Sequence, residues 1–160
     1  MSNLQSAVAR TLRLEDATLS GKITYDAGGA TRFGVAAKYH PEVFPEMLTC
    51  SRERALELAA EVLKRYWCFD DVKEQDIAWK LFDMAVNLGL GTAIKLCQRA
   101  LGIAVDGKWG PATEAAVNAR LPLSLMEGLR AAAAAHYRDV VAANPANEKF
   151  LNGWLARAEA

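Results

Sequence analysis

Glu15 is the residue of this 160-residue chain whose position first suggests acid–base chemistry. The pattern of apolar residues predicts a first helix over residues 2–15. The apolar stripe of this helix consists of Leu4, Val8, Thr11 and Leu12. Because each helical residue turns by about 100°, Glu15 falls inside this stripe and Asp16 outside it. Burial and the negative end of the helix dipole both disfavour a charged carboxylate there. A carboxylic acid that keeps its proton can protonate a leaving oxygen.

The run from Tyr25 to Gly34, with the sequence YDAGGATRFG, is the second candidate. Its small residues allow the backbone to turn tightly and to approach a ligand closely. Asp26 and Thr31 place a carboxylate and a hydroxyl in one loop, where together they can hold a water molecule whose proton the carboxylate accepts. The glycines match neither a phosphate-binding loop nor a dinucleotide-binding fingerprint.

Both candidates also have structural interpretations that the residues alone leave open. Glu15 can lie at the fraying end of its helix, or pair with one of three arginines, Arg10, Arg13 or Arg32. The run from Tyr25 to Gly34 can be an ordinary hairpin turn. The chemistry therefore depends on the elements that position these side chains.

Strand-forming residues and glycines replace the helical pattern over residues 17–35, which predicts a small antiparallel sheet or a long hairpin. The rest of the chain has helical periodicity and recognisable boundaries, such as Ser51 as an N-cap and Gly102 as a C-terminal stop. The predicted helices cover residues 41–47, 52–67, 74–88, 92–101, 111–120, 124–143 and 146–158. We expect a mainly α fold with a small N-terminal β-hairpin lobe and a multi-helix body.

Composition and charge exclude several classes of protein. Hydrophobic residues make up 52% of the chain and charged residues 24%, which is typical of a globular protein rather than a disordered one. Lys and Arg number 19, as do Asp and Glu, and this balance argues against a nucleic-acid partner. No stretch approaches the roughly 18 apolar residues of a membrane-spanning helix.

Cysteines and histidines give no sign of a metal site. Cys50, Cys68 and Cys97 form no CxxC or zinc pattern, and the two histidines, His40 and His136, do not complete one. We expect the thiols to be reduced and buried. The N-terminus lacks a basic segment followed by an apolar one, so we expect synthesis in the cytoplasm without a signal peptide.

The run DAGGATRFGV from Asp26, preceded by Glu15 at a helix end, resembles the N-terminal signature of glycoside hydrolase family 108. Members of this family are lysozyme-like N-acetylmuramidases, known from phage endolysins and bacterial secretion-activator proteins. The family pattern is a glutamate followed by D-x-G-G-x-T-x-x-G-[IV], and its catalytic glutamate ends the first helix. The resemblance implies a lysozyme-like fold, with Glu15 as the general acid, Asp26 as the second carboxylate and Thr31 assisting it.

The second half of the chain resembles the predicted peptidoglycan-binding region of the same family. Four blocks occur in order, LFDMAVNLG from Leu81, QRALG from Gln98, DGKWGPAT from Asp106 and FLNGWLAR from Phe150. The resemblance implies a lysozyme-like catalytic region over residues 1–90, including the hairpin at 17–35. We expect a helical peptidoglycan-binding-like region over residues 91–160 to pack on it as one compact unit.

Three further residues are candidate substrate-binding groups. Tyr39 has an aromatic face that suits the apolar side of a sugar ring, with packing as the alternative. Tyr25, at the start of the glycine-rich run, is a second aromatic candidate. Asn87 can cap its helix or, as the resemblance implies, bind the N-acetyl group of a sugar. The repeat-like residues from Gln98 to Thr113 are interpreted as mainly structural.

One departure from the family pattern follows Glu15. The family usually continues its catalytic glutamate as E-G-G-Y, whereas this chain has Glu15-Asp16-Ala17-Thr18. Without the two glycines, the start of the hairpin must take a different path. The departure favours an alternative, a non-catalytic peptidoglycan-binding or secretion-assisting protein that has kept the fold.

The activity that the resemblance implies is hydrolysis of the β-1,4 bond between N-acetylmuramic acid and N-acetylglucosamine in peptidoglycan strands. It implies no metal and no cofactor. We expect a monomer that acts on the cell wall in the periplasm, after release through a holin or another export route.

Overall fold

The structure is a computed structural model that describes residues 2–26 and 29–160, and the side chain of Asp26 lies outside its described part. The described residues form two compact units. The N-terminal unit spans Asn3–Trp67, and the C-terminal unit contains Cys68–Ala160 together with Ser2. Helices dominate the described chain and the strands are confined to the N-terminal unit, so the predicted mainly α fold is confirmed.

The N-terminal unit combines three helices with a small sheet among its described residues. Its elements are α1 (Leu4–Glu15), β1 (Thr24–Asp26), β2 (Gly29–Arg32), β3 (Val35–Ala36), α2 (Phe44–Thr49) and α3 (Arg52–Lys64). Helix α1 begins where the side chain of Asn3 accepts the N–H of Ser6 at 3.0 Å. The face of α1 that carries Val8 and Leu12 is buried, as the apolar stripe predicts, and α1 packs against α3.

The three strands form one antiparallel sheet in the order β1-β2-β3. Thr31 in β2 lies opposite Thr24 in β1 and opposite Ala36 in β3. A two-residue turn joins β2 to β3, and both of its residues have positive φ, 50° at Phe33 and 78° at Gly34. Such a turn matches the right-handed twist of the strands it joins. The region predicted as a small sheet or hairpin is therefore a three-stranded sheet.

The C-terminal unit is helical throughout its regular elements. These are α4 (Gln75–Leu88), α5 (Leu90–Leu101), α6 (Pro111–Ala119), α7 (Pro122–Ala143), a 3-10 turn (Pro145–Asn147) and α8 (Glu148–Glu159). Helix α7 packs against α4, α5 and α8. Within the described residues, no helix has both the length and the hydrophobicity that crossing a membrane requires.

Some helix boundaries differ from the predicted ones for local reasons. Helix α3 ends at Lys64, where tighter turns replace the α-helical bonds. Helix α5 begins at Leu90 rather than at residue 92, because Gly89 alone, with φ 83°, redirects the chain. The last helix begins at Glu148 because the preceding Pro145–Asn147 forms a 3-10 turn.

Buried polar side chains connect α4 to α8 in the C-terminal unit. Asp83 pairs with Arg157 at 2.8 Å between Oδ1 and Nη2. The ammonium group of the fully buried Lys80 donates to the carbonyl oxygens of Arg157 and Ala158, at the C-terminus of α8. A cation is favoured at that helix end by the helix dipole and by the carbonyl oxygens at its last turn.

Candidate active site

An open groove of about 370 Å³ lies within the N-terminal unit, and we call it the hairpin groove. It is lined by Glu15, Asp16, Ser20, Lys22, Thr24, Thr31, Phe33 and Gly34. These residues come from the end of α1, the loop after it, strands β1 and β2, and the turn that follows β2. The groove therefore contains Glu15 and Thr31, two of the residues that the sequence nominates for catalysis.

Glu15 is the last residue of α1, and its side chain is half-buried. The backbone of Gly34 lies directly against it. A Cβ atom on residue 34 would be 2.5 Å from the Cγ of Glu15 and 3.0 Å from its Oε2. The carboxyl group is thus held between the end of a helix and a turn that carries no side chain at the point of contact.

The two threonines of the groove are paired across β1 and β2. Thr24 and Thr31 are direct partners in the register, so they share one face of the sheet. Tyr25 lies between Thr24 and Asp26 in β1, and alternation along the strand places its side chain on the other face. Its side chain is 76% exposed and does not line the groove.

Asp26, the predicted second carboxylate, has its side chain outside the described residues. Its backbone ends β1 and is paired with Gly29 of β2. Its catalytic role stays a prediction.

Asp16 also lines the groove, although it is not among the site residues predicted from the sequence. Its Oδ1 accepts hydrogen bonds from the N–H and the hydroxyl of Thr18, at 3.2 and 3.0 Å. Its Oδ2 accepts from the hydroxyl of Ser20 at 2.9 Å and from the N–H of Gly21 at 2.8 Å. The Gly21 N–H contributes most to holding the pKa of Asp16 far below its usual range. An aspartate directly after a helix, followed by Thr, Ser and Gly, is a sequence signal for such a loop.

Arg32 connects the sheet to α2 from a buried position. Its Nε donates to the carbonyl oxygen of Gly21 at 2.9 Å, and its Nη1 donates to the carbonyl oxygens of Met47 and Cys50. The last two carbonyls lie at the C-terminal end of α2, where a cation is favoured. Arg32 therefore stabilises the hairpin and does not line the groove.

Two of the predicted substrate-binding residues also lie outside the groove lining. Tyr39 is 70% exposed, and the ammonium group of Lys38 lies 5.4 Å from its ring centre. Asn87 belongs to the C-terminal unit, where its amide donates to the carbonyl oxygen of Asp83 at 2.7 Å and to its Oδ1 at 3.3 Å. Roles for Tyr25, Tyr39 and Asn87 in binding substrate stay predictions.

The repeat-like segment of the C-terminal unit is organised around Gln98, which is almost fully buried. Its Nε2 donates to Asp106 Oδ1 at 2.7 Å and to Thr113 Oγ1 at 3.1 Å, and its Oε1 accepts the N–H of Gly107 at 2.9 Å. The Lys108 N–H, followed by the Gln98 amide, lowers the pKa of Asp106. These bonds support the interpretation of this motif as mainly structural, which stays a prediction.

The described part of the chain contains no cluster of three or more side chains suited to holding a metal ion. The three cysteines are free thiols, of which Cys97 is buried and the other two are half-buried. Burial raises the pKa of Cys68 to about 11 and that of Cys97 to about 12. Thiols with such pKa values are poor nucleophiles near neutral pH.

Both halves of the chain are similar to known families. Residues 20–89 match the family described as Glycosyl hydrolase 108, and residues 92–159 match the family described as Predicted Peptidoglycan domain. The chain is thus similar to glycosyl hydrolase 108 in its first half and to the predicted peptidoglycan domain in its second half. Their order is the one that the resemblance implies, and together they indicate a lysozyme-like protein that acts on peptidoglycan.

The glycosyl hydrolase 108 region does not coincide with the compact N-terminal unit. The two matched regions meet between residues 89 and 92, whereas the compact units meet at residues 67 and 68. The matched region also begins at Ser20, after Glu15 and Asp16. The assignment of catalysis to residues 1–90 and of peptidoglycan binding to residues 91–160 stays a prediction.

Solved structures include proteins of the same fold. Nine chains match significantly. One of them, described as "Structure of Brucella abortus SagA", is 22% identical, has a TM-score of 0.73, and covers 97% of this chain and 88% of its own. The likeness shows a shared fold, and the predicted lysozyme-like fold is confirmed. No curated protein matches the chain significantly.

Proposed function

We propose that this chain of the glycosyl hydrolase 108 type is a peptidoglycan hydrolase that cleaves the β-1,4 bond between N-acetylmuramic acid and N-acetylglucosamine. The observation that carries the proposal is the position of Glu15. Its carboxyl group is half-buried at the end of α1 and lines a groove that also contains Thr31. This is a suitable place for a general acid beside a polysaccharide strand.

In the proposed reaction, Glu15 donates its proton to the glycosidic oxygen as the bond to the anomeric carbon breaks. Asp26 is the proposed second carboxylate, either accepting a proton from the attacking water or stabilising positive charge on the sugar ring, with Thr31 assisting. Carboxyl groups about 6.5–9.5 Å apart accompany inversion, and groups about 5–5.5 Å apart accompany retention. The anomeric configuration of the first product, followed by NMR, therefore tests the first role, because a retained configuration excludes Asp26 as a base that activates water in a single displacement.

The decisive variant is Glu15→Gln, which keeps the shape of the side chain and removes its acidic proton. We expect it to release less than about 1% of the dye that the unaltered protein releases from labelled, purified peptidoglycan, since general acid catalysis contributes about 10²–10⁴-fold. Glu61→Gln, at an exposed position on α3, is the matched control and keeps full activity. Equal release by Glu15→Gln and the unaltered protein would remove Glu15 from the mechanism.

Mass spectrometry of the released fragments identifies the bond that is cut. A muramidase leaves N-acetylmuramic acid at the reducing end, and a glucosaminidase leaves N-acetylglucosamine there. A 1,6-anhydro end would identify a transglycosylase and contradict hydrolysis.

The second candidate function is that of a non-catalytic peptidoglycan-binding or secretion-assisting protein. The sequence after Glu15 supports it, because Asp16 and Ala17 stand where the family pattern has two glycines and the matched region begins only at Ser20. Co-sedimentation with peptidoglycan but no dye release by the unaltered protein would establish this alternative.

The partner in either function is the peptidoglycan glycan strand. We further propose that the protein acts as a monomer on the cell wall in the periplasm, reached through a holin or another export route. Fractionation of cells with and without a co-expressed holin tests this location.

A further inference from the structure

The carboxylate of Asp16 organises the loop that leaves α1 beside Glu15. Building on the function proposed above, we propose that Asp16 is a positioning residue. It holds the loop over residues 16–21 in the path that lets the turn at Gly34 keep the carboxyl group of Glu15 in the hairpin groove.

The first step runs from Asp16 to Gly21. The N–H of Asp16 closes α1 by donating to the carbonyl oxygen of Leu12 at 3.0 Å, and its carboxylate accepts from the N–H of Gly21 at 2.8 Å. Further donors are the hydroxyls of Thr18 and Ser20. Both carboxylate oxygens are therefore engaged with the loop, which suits a structural anchor rather than a base that activates water.

The second step runs from Gly21 to the end of β2. A Cβ atom on residue 21 would be 2.7 Å from the Cζ of Phe33, so the bare backbone of Gly21 lies against that ring. The carbonyl oxygen of Gly21 also accepts the Nε of Arg32 at 2.9 Å. A shift of Gly21 must therefore move the side chains of both residues.

The third step returns to Glu15. Phe33 has a φ of 50°, a backbone conformation that residues other than glycine rarely adopt. The next residue, Gly34, has a φ of 78°. Gly34 lies so close to Glu15 that a Cβ atom would be 2.8 Å from its Cδ. The contacts thus connect Asp16 to Gly21, Gly21 to Phe33, and Gly34 to Glu15, the neighbour of Asp16. We expect that loosening one of these contacts displaces the others.

Asp16→Asn tests this series of contacts, because an amide keeps the shape of the side chain but replaces one acceptor oxygen by a donor nitrogen. On soluble oligomers of alternating N-acetylglucosamine and N-acetylmuramic acid, we expect kcat to fall about 10- to 100-fold, since misplacing a reacting group by about 1 Å has an effect of that size. KM should stay within about twofold. Thr18→Val, which removes one hydroxyl donor, should give a smaller change in the same direction.

Ser51→Ala is the matched control in the same unit. It removes the side-chain acceptor that caps α3 at 3.2 Å and so lowers the melting temperature, and Ser51 does not line the groove. If Asp16→Asn lowers the melting temperature but leaves kcat as high as in Ser51→Ala, Asp16 only stabilises the fold and the proposal is overturned.

An NMR measurement separates this proposal from the proposed function. In Asp16→Asn, the amide resonance of Gly34 and the carboxyl carbon resonance of Glu15 should shift, whereas in Ser51→Ala they should stay in place. If the unaltered protein cleaves nothing but these shifts occur, the hydrolase function fails and the positional coupling stands. If the two resonances do not move in Asp16→Asn or Thr18→Val, the coupling itself is disproved.

Discussion

The carboxyl group of Glu15 occupies the space into which residue 34 would otherwise extend a side chain. A Cβ atom on Gly34 would lie 2.5 Å from the Cγ of Glu15, well inside van der Waals contact. Gly34 also has φ 78°, which glycine adopts without strain. Two independent constraints therefore require glycine here, and one of them is the position of the proposed acid itself.

Gly34→Ala should therefore impair activity more than its effect on stability explains. The added methyl group displaces the Glu15 side chain, and we expect about 100-fold slower peptidoglycan hydrolysis. The free energy of unfolding should fall by about 1–3 kcal/mol because of the strained φ. Urea unfolding and dye release measure the two effects.

Gly153→Ala is the control for that substitution, since it places a methyl group in open space on helix α8. It should raise the free energy of unfolding by about 0.5–1 kcal/mol. Hydrolysis by Gly34→Ala at the rate of Gly153→Ala would contradict the close contact with Glu15.

Arg32→Lys should destabilise the protein although it conserves the charge. A lysine has no planar fork that can reach the carbonyl oxygens of Gly21, Met47 and Cys50 together, so buried acceptors lose their donors. We expect the free energy of unfolding in urea to fall by about 1–3 kcal/mol. Arg13→Lys, on an exposed position of α1, should change it by less than about 0.5 kcal/mol, and an equal effect of the two variants would refute this role.

Gln98→Leu distinguishes a structural role of the peptidoglycan-domain motif from a binding role. Leucine leaves Asp106, Gly107 and Thr113 without their partner, and we expect a loss of about 2–3 kcal/mol in the free energy of unfolding. Co-sedimentation with peptidoglycan, measured well below the melting temperature, should match that of the unaltered protein. Unchanged stability with loss of binding would instead make Gln98 a ligand contact.

We expect Lys80 to make the free energy of unfolding depend on pH in the alkaline range. Burial lowers the pKa of Lys80 from 10.5 to about 8. Between those pH values the unfolded chain holds a proton on Lys80 that the folded chain has released, so Lys80 contributes a rise in the free energy of unfolding with pH over this range. The buried thiols of Cys68 and Cys97, whose pKa values are raised, contribute a fall above about pH 9. The expected contribution of Lys80 is about 3 kcal/mol between pH 8 and pH 10.5.

Urea unfolding near pH 7.5 and near pH 10 checks the Lys80 prediction. The difference in the free energy of unfolding between the unaltered protein and Lys80→Met should change by the contribution of Lys80 between these pH values, whereas the difference for Lys64→Met, at an exposed position of α3, should stay constant. An identical pH dependence in Lys80→Met and the unaltered protein would show that the buried ammonium group is not responsible.

Helix boundaries could be predicted from the sequence where their signals are local. Ser51 caps α3 by accepting the N–H of Arg54, and Gly102 ends α5 with φ 72°, as their residue types predict. The predicted start of α5 at residue 92 is wrong. Thr92 is a residue type that caps helices, but the positive φ of Gly89 starts the helix at Leu90. Two adequate signals close together cannot be ranked from local sequence alone.

The candidate site could be predicted only in part. Helical periodicity places Glu15 on the buried side of α1, and the structure finds it half-buried in the groove. The residue types after α1 favour a loop that the side chain of Asp16 closes, but its bonds to Ser20 and Gly21, and the contact of that loop with the groove, appear only in the folded structure. Tyr25 was nominated by its type, and strand alternation places it on the face opposite Thr24.

The sequence by itself determined the order and type of the elements, the resemblance to known families, and the groups able to do acid–base chemistry. These properties depend on periodicity, capping and motif order, all of which are written along the chain. Only the tertiary structure decided that Glu15 shares a groove with Thr31 and rests against Gly34. Such proximity depends on strand register and on backbone angles such as the positive φ of Phe33, which arise when distant segments pack together.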